Sequence, residues 1–293
     1  MTSTTPTSSA TGDFAAIYGN TRGNDDFYRF LQNVYRLYPE DRFHLLIQDA
    51  ARTRGDDDAT IYRDLQRQLP GIKPLLSELG YAVPSLIKQK REMTRQTLSL
   101  LGERRAFDGY VEIGSTGRYL SLLRKALRLR GDWVLVNDLA PSNSPVDIVE
   151  RGGLRKLGRF VALDDYAPLP ASGITDSSIE LVTCYIGLHH APLDRLEPFI
   201  ESIHRLMRSG GLFILRDHDV ADAYMNAMAS LAHAVFNAGL NVPWEVNQRE
   251  LRHFRSVEEW IEILGRHGLR HTGARLLQSH DPTLNTLLAF CKE

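Results

Sequence analysis

Two acids and two glycines stand out in this chain as residues whose type and spacing could do chemistry. In Tyr110-Val-Glu-Ile-Gly-Ser-Thr-Gly-Arg-Tyr119 an apolar run is broken by Gly114 and Gly117, and Glu112 lies two residues before the first glycine. The pattern predicts a buried strand, a tight turn and the start of a helix. Such a turn lets the backbone come close to a ligand and then opens a helix whose first amides face it. The next apolar run, Trp133 to Asn137, ends at Asp138. A carboxylate there can accept hydrogen bonds from both ribose hydroxyls of a nucleoside. Acids at two successive strand ends could thus hold opposite ends of a nucleoside that carries a charged tail. By itself, a Gly-x-x-Gly turn fits equally well a strand-to-helix corner that binds nothing.

Ligands of open α/β sheets lie beyond the carboxyl ends of the strands. That rule selects Tyr185, His189 and His190 after a fourth apolar run, and Asp217, His218 and Asp219 after a fifth. His189 and His190 are adjacent, so at most one is expected to point squarely into the cleft, the alternative being a helix-capping or packing role. His218, between two aspartates, could be a base whose tautomer a carboxylate fixes, or part of a turn network. The same Asp-His-Asp group could ligate a metal, but no partner motif accompanies it and no metal is expected. His204, His233, His253, His267, His271 and His280 read as surface or helix-face residues.

These residues need elements to position them. The strand candidates are Tyr110–Gly114, Trp133–Asn137, Phe160–Leu163, Ile179–Tyr185 and Leu212–Leu215, with two more at about Leu269–Leu277 and Leu284–Cys291. Their continuous apolar character suits strands covered on both faces, as in a parallel sheet. Leu193 to Met207 reads as an amphipathic helix closed by the cap signal Ser209-Gly210-Gly211. Ser256 and Glu259 have capping-box spacing at the start of another helix. Before the first strand the chain is helical. Phe27, Phe30, Leu31, Val34, Leu37 and Tyr38 recur at helical steps, a second stretch covers Phe43 to Ala51, and the charged Arg54–Asp58 segment reads as a loop. Pro70, Gly71, Pro74, Gly80 and Pro84 are expected to chop the next stretch into short pieces, before a helix from about Ser85 to Leu101. The region from Val220 to Phe254 reads as a long helical insertion. Domains are therefore expected as a disordered tail over residues 1–12, a helical N-terminal cap or lid over 13–105, and a ligand-binding α/β domain over 106–293 with its insertion at about 220–254.

Composition narrows the class. The chain has 293 residues, 43% of them hydrophobic and 24% charged, which suits a globular protein with an ample core. A formal net charge of -1 supplies no general attraction to nucleic acid. The run Lys88-Gln-Lys-Arg-Glu92 reads as a solvated helix face. Cys184 and Cys291 lack metal-ligand spacing and are expected to be reduced core thiols. No membrane-spanning run and no signal peptide are visible, so a cytoplasmic location is expected.

Taken in order, the motifs resemble the class I S-adenosyl-L-methionine (SAM)-dependent methyltransferases of the small-molecule type, over roughly residues 85 to 293. Val-Glu-Ile-Gly-Ser-Thr-Gly resembles the family's first motif, and Val-Asn-Asp138-Leu-Ala-Pro141 its second-strand acid and helix-starting proline. Asp165-Tyr-Ala-Pro-Leu-Pro170 resembles its adenine-binding segment, with Asp164 competing for that role. Asp176-Ser-Ser-Ile-Glu-Leu-Val182 and Tyr185-Ile-Gly-Leu-His-His190 resemble the fourth strand and its exit, and Ser209-Gly-Gly-Leu-Phe-Ile-Leu215 the turn into strand five. The family's glycine loop has glycines where this chain has Thr116 and Arg118. Arg118 is placed either to meet the cofactor's carboxylate or to face solvent.

The resemblance implies a doubly wound, mainly parallel seven-stranded sheet, Rossmann-like, with a helical N-terminal cap. It implies SAM as cofactor and S-adenosyl-L-homocysteine as product. Cofactor contacts are expected from Glu112, Gly114, Ser115, Thr116, Gly117, Asp138, Asp164, Asp165 and Tyr185, and catalytic roles from His189, His190, His218 and Asp217. The acceptor is expected to be an oxygen or nitrogen of a small molecule, with no nucleic acid or membrane partner and a homodimer as one option. Asn241-Val-Pro-Trp244 has only a partial likeness to the Asn-Pro-Pro-aromatic signature of enzymes that methylate nucleic-acid amines. Two other readings stand beside this one. One is a non-catalytic SAM-fold partner or sensor. The other is an NAD-type oxidoreductase, which the acid two residues before Gly114 disfavours. On the sequence alone, replacing Glu112 or Asp138 should weaken cofactor binding and spare the fold.

Overall fold

The computed structural model describes residues 12–35, 37–73 and 83–293. Residues 1–11 of the expected tail, and the expected breaks at Pro74 and Gly80, lie outside them. The chain divides into two compact units.

The first unit combines the N-terminal helices with Asp222–Arg249. It holds α1 (Asp13–Tyr18), α2 (Thr21–Phe30), α3 (Glu40–Arg54) and α4 (Asp58–Ile72), joined by α9 (Ala223–Gly239) and α10 (Trp244–Arg249). After α2 the helix widens into a π turn at Leu31–Tyr35, so the expected single helix through Tyr38 ends early. Asp58, the first residue of α4, accepts hydrogen bonds from Asp13 N at 2.8 Å and Phe14 N at 3.3 Å, amides that α1 itself leaves unpaired. The α4 helix runs through Pro70 to Ile72, contrary to the expected break. In the last turn only one hydrogen bond is forfeited, and Lys73 N still bonds Leu69 O. Two segments far apart in sequence are joined by specific polar contacts. Tyr62 OH and Gln66 Nε2 both donate to Val242 O at 2.7 Å, and Tyr224 OH donates to Asp26. Tyr62 packs with Ala234, Ala238 and Trp244 in one apolar cluster.

The second unit is a seven-stranded α/β sheet. It comprises α5 (Val83–Leu100), β1 (Ala106–Ile113), α6 (Leu120–Ala126), β2 (Arg128–Asn137), α7 (Pro145–Arg151), β3 (Arg159–Ala162), β4 (Ile179–Cys184), α8 (Leu193–Leu206), β5 (Met207–His218), α11 (Val257–Arg266), β6 (Leu269–Leu277) and β7 (Asn285–Lys292). The order is β3-β2-β1-β4-β5-β7-β6, parallel through β5, with β7 antiparallel to both neighbours. This is the doubly wound arrangement of the class I methyltransferase fold. The direction of winding reverses between β1 and β4, and such a reversal opens a crevice at the carboxyl ends.

Period-two alternation covers both faces of the sheet. Val111, Ile113, Val182, Cys184, Phe213 and Leu215 pack on one side with Phe199 and Ile203 of α8 and Trp260 of α11. Tyr110, Leu181 and Ile214 pack on the other with Met93 of α5 and Leu120 and Leu123 of α6. Several strands start earlier than their apolar runs suggest. β2 begins at Arg128 and its polar first half pairs with β1 from Ala106, with a register shift between Asp108 and Tyr110. Ser209-Gly210-Gly211 is not a helix cap: α8 ends at Leu206 and the three residues form an irregularity inside β5, where pairing passes from Ile179–Met207 to Leu181–Leu212. The capping box of Ser256 and Glu259 is present. The insertion is helical only to Arg249; beyond it the chain returns without regular structure, with His253 N on His189 O and Val220 N on Arg255 O.

Cys184 is buried, its thiol pushed up to about 12 by burial, and Cys291 is partly buried; both are free. No helix among the described residues is long and apolar enough to cross a membrane.

Candidate active site

The glycine turn closes on itself. Gly114 has φ +84° and its N donates to Val136 O at 2.7 Å, fastening the turn to β2. The Ile186 side chain, just beyond β4, fills the space a Cβ at Gly114 would need, so the turn and the exit of β4 are in contact. The Ser115 hydroxyl donates to the Glu112 carboxylate and accepts from Gly117 N at 3.2 Å and Arg118 N at 3.0 Å. Glu112 further accepts from Tyr119 N at 3.1 Å, Leu120 N at 2.6 Å and the Tyr110 hydroxyl at 2.9 Å. Both of its oxygens are thus taken by the protein, and the residue is wholly buried. Burial raises its pKa while the Ser115 hydroxyl, the two amides and Tyr110 oppose the rise. Glu112 therefore lies beneath the turn and ties it to the first amides of α6.

Asp138, just past β2, is exposed and makes no hydrogen bond or ion pair with any described residue. β2 pairs with β1 and β3, so this carboxylate sits at the tip of the strand beside the glycine turn. Next to it, the exit of β3 is strained. Asp164, Asp165 and Tyr166 have φ of 47°, 52° and 59°, a left-handed run that side chains rarely adopt. Arg195 holds it by donating to the carbonyls of Asp164 at 2.9 Å and Asp165 at 3.1 Å, and Tyr166 OH donates to Gly187 O. The Asp165 carboxylate faces Arg195 at 3.6 Å, whereas the exposed Asp164 carboxylate has no partner among the described residues.

A buried polar group occupies the exits of β4 and β5. His189 Nδ1 lies 2.6 Å from Asp217 Oδ1, and Asp217 also accepts from Leu188 N and His218 N, each at 2.8 Å. Gly187, with φ +84°, makes this closure possible: a Cβ there would lie 2.5 Å from the His189 ring and 3.0 Å from Asp217. Burial pushes His189 well below its ordinary pKa, helped by His190 and His218, and raises Asp217. His189 is accordingly a neutral imidazole donating Nδ1–H to a carboxylate. His218 Nδ1 lies 2.7 Å from Thr283 O. A carbonyl only accepts, so His218 carries its proton on Nδ1 and Nε2 is the basic nitrogen when neutral. His190 Nδ1 contacts Leu251 O at 2.9 Å, and its ring lies 4.1 Å from that of His189. Asp219 turns away from this group and accepts from Val257 N at the start of α11. Tyr185 is a packing residue with its ring 4.3 Å from that of Tyr119 and its hydroxyl 2.7 Å from Thr97 Oγ1. Burial drives its phenol far above the ordinary range.

Some residues of the site escape a reading of the sequence. Asp281 accepts from Thr283 N, Thr283 Oγ1 and Asn285 Nδ2, building the buried corner that presents Thr283 O to His218. The Asp-x-Thr spacing was the available signal, a local turn motif common in surface loops. Lys90, expected on a solvated face, is buried with its Nζ 2.5 Å from Glu150 O, and Arg118 pairs with the Glu150 carboxylate instead of facing solvent. Nothing in the spacing of Lys90, Arg118 and Glu150 announces their meeting.

No family model matches the chain, and no curated protein matches it. Solved structures to which it is similar include the 1,6-didemethyltoxoflavin-N1-methyltransferase of Burkholderia thailandensis, with 15% identity over 78% of this chain and 87% of that one and a TM-score of 0.45. An O-methyltransferase family 2 protein of Planctomyces limnophilus in complex with apigenin has 13% identity over 85% of this chain and 69% of that one, with a TM-score of 0.49. A SAM-dependent methyltransferase of Thermotoga maritima, described as a possible histamine N-methyltransferase, has 16% identity over 70% and 91% and a TM-score of 0.43.

Proposed function

We propose that this chain is a SAM-dependent methyltransferase acting on an oxygen or nitrogen of a small molecule. The observation that carries the reading is Asp138: an unpaired carboxylate at the tip of β2, beside a glycine turn, where the sheet reverses its winding. The donor set fits the cofactor. Asp138 suits the two ribose hydroxyls, and the strained Asp164–Asp165 turn suits an adenine amine. Of the two acids at the adenine position, Asp164 is favoured, because Asp165 already faces Arg195.

When bound, the cofactor would supply an electrophilic methyl group. Orientation of the acceptor contributes on the order of 7–11 kcal/mol to such a transfer. A base adds about 100- to 10,000-fold where the acceptor keeps its proton. His218, its tautomer set by Thr283 O, suits the removal of that proton, and Asp217 orients His189 and would stabilise it on protonation. His190 would line the same exit. The reading includes a cytoplasmic location and no nucleic-acid or membrane partner.

Calorimetric titration with S-adenosyl-L-homocysteine tests the first half of this proposal, and methyl transfer from labelled SAM to a panel of phenols and amines tests the second. Micromolar product binding with no transfer to any acceptor would favour a partner or sensor role. Absence of product binding would refute the assignment.

A further inference from the structure

Lys90, Arg118 and Glu150 form a cluster beside the glycine turn, and neither Lys90 nor Glu150 has a role in the reading above. Lys90 is 6% exposed, and its ammonium reaches the Glu150 carbonyl in the last turn of α7. The Glu150 carboxylate pairs with Arg118, whose Nε is buried without a partner, as is Oγ1 of Thr116 in the same turn. Lys90 thus bonds the backbone of the residue whose carboxylate holds Arg118. Burial, and then the charge of Arg118, lower the pKa of Lys90, against the opposing pull of Glu112 and Glu150. The amides that usually receive a ligand anion are spent. Those of Gly117 and Arg118 bind the Ser115 hydroxyl, and those of Tyr119 and Leu120 bind Glu112. A ligand carboxylate arriving at this turn therefore has to be met by side chains, and Lys90 and Arg118, the latter with its Nε unpartnered, are the cations beside it.

We propose that Lys90 and Arg118 form the subsite for the α-carboxylate of the cofactor, with Glu150 receiving its ammonium. The proposal rests on the SAM reading and deepens it: a lysine from α5, upstream of the sheet, recognises the amino-acid end of the ligand. Glu112, two residues before the glycine, holds the turn instead.

The test compares two nucleosides that differ only in that end. Wild type, Lys90→Met and Lys90→Arg are titrated by calorimetry with S-adenosyl-L-homocysteine and with 5′-methylthioadenosine, which lacks the amino-acid portion. Wild type should prefer the homocysteine compound by about tenfold or more, the scale of one charge-assisted contact. Lys90→Met should lose about tenfold for that compound while its affinity for methylthioadenosine stays within about twofold, and Lys90→Arg should recover most of the loss. An unchanged preference in Lys90→Met would overturn the proposal. So would an equal loss for both ligands, which would assign Lys90 to seating α7. If wild type binds neither nucleoside, the SAM reading itself fails; if it binds both and only the Lys90 result is negative, this subsite alone fails.

Discussion

Glu112 and Asp138 end neighbouring strands and look like equals in the sequence, yet their surroundings are opposite. Glu112 is sealed beneath the turn with four groups of the protein donating to it, and Asp138 is exposed with none. An acid beside a glycine turn can be spent on building the turn, in which case its neighbour has to do the recognition. The first carboxylate belongs to the architecture and the second is available to a ligand.

Removing each acid tests that division. Glu112→Ala should cost about 3 kcal/mol or more in urea denaturation, because it leaves a buried hydroxyl, a phenol and two amides without an acceptor. Asp138→Ala should lower affinity for S-adenosyl-L-homocysteine by about tenfold or more while stability stays within about 0.5 kcal/mol. Equal stability losses in the two variants would erase the distinction. Ser115→Ala should fall between them, losing about 1 kcal/mol, since its hydroxyl joins Glu112 to two amides of the turn. The smallest effect is one of pH. Burial raises Glu112 above its ordinary 4.5, so between that value and its folded pKa the native state holds more of the proton than the unfolded chain does. This group therefore adds stability as pH falls through that window, and the cost of Glu112→Ala should grow as the solution is acidified towards the ordinary carboxylate value. A cost that shrank with acid would mean that the fold favours the charged carboxylate.

Much of the sheet was legible because strands covered on both faces are written as continuous apolar runs: Val111, Val134 and Val182 declare themselves. The polar first half of β2, Arg128 to Asp132, is held by backbone pairing that leaves no apolar trace, so the apolar pattern does not mark its start. Ser209-Gly-Gly was misread because a helix cap and a strand irregularity use the same residues for the same freedom at φ > 0. At the site, residue types and positions were readable, but allegiance was not. Glu112 was expected to face the cofactor, and its donors, one hydroxyl, one phenol and two backbone amides, are not a pattern that spacing reveals. Lys90 reads as any lysine in a charged run, because Glu150 and Arg118, which surround it, are distant in sequence. The expectation that Glu112 could be removed without harm to the fold is revised for the same reason.

The helical unit is assembled from two stretches of chain, with Tyr62 and Gln66 awaiting Val242 and Asp26 awaiting Tyr224. During synthesis the first stretch leaves the ribosome roughly 150 residues ahead of its complement, a delay on the order of 10–30 s at about 5–20 residues per second. Over that interval Tyr62 lacks Ala234 and Ala238 of α9, so the nascent chain exposes this ring until the sheet's first five strands have been made. Slowing translation between the two stretches should prolong that exposure and favour aggregation over yield.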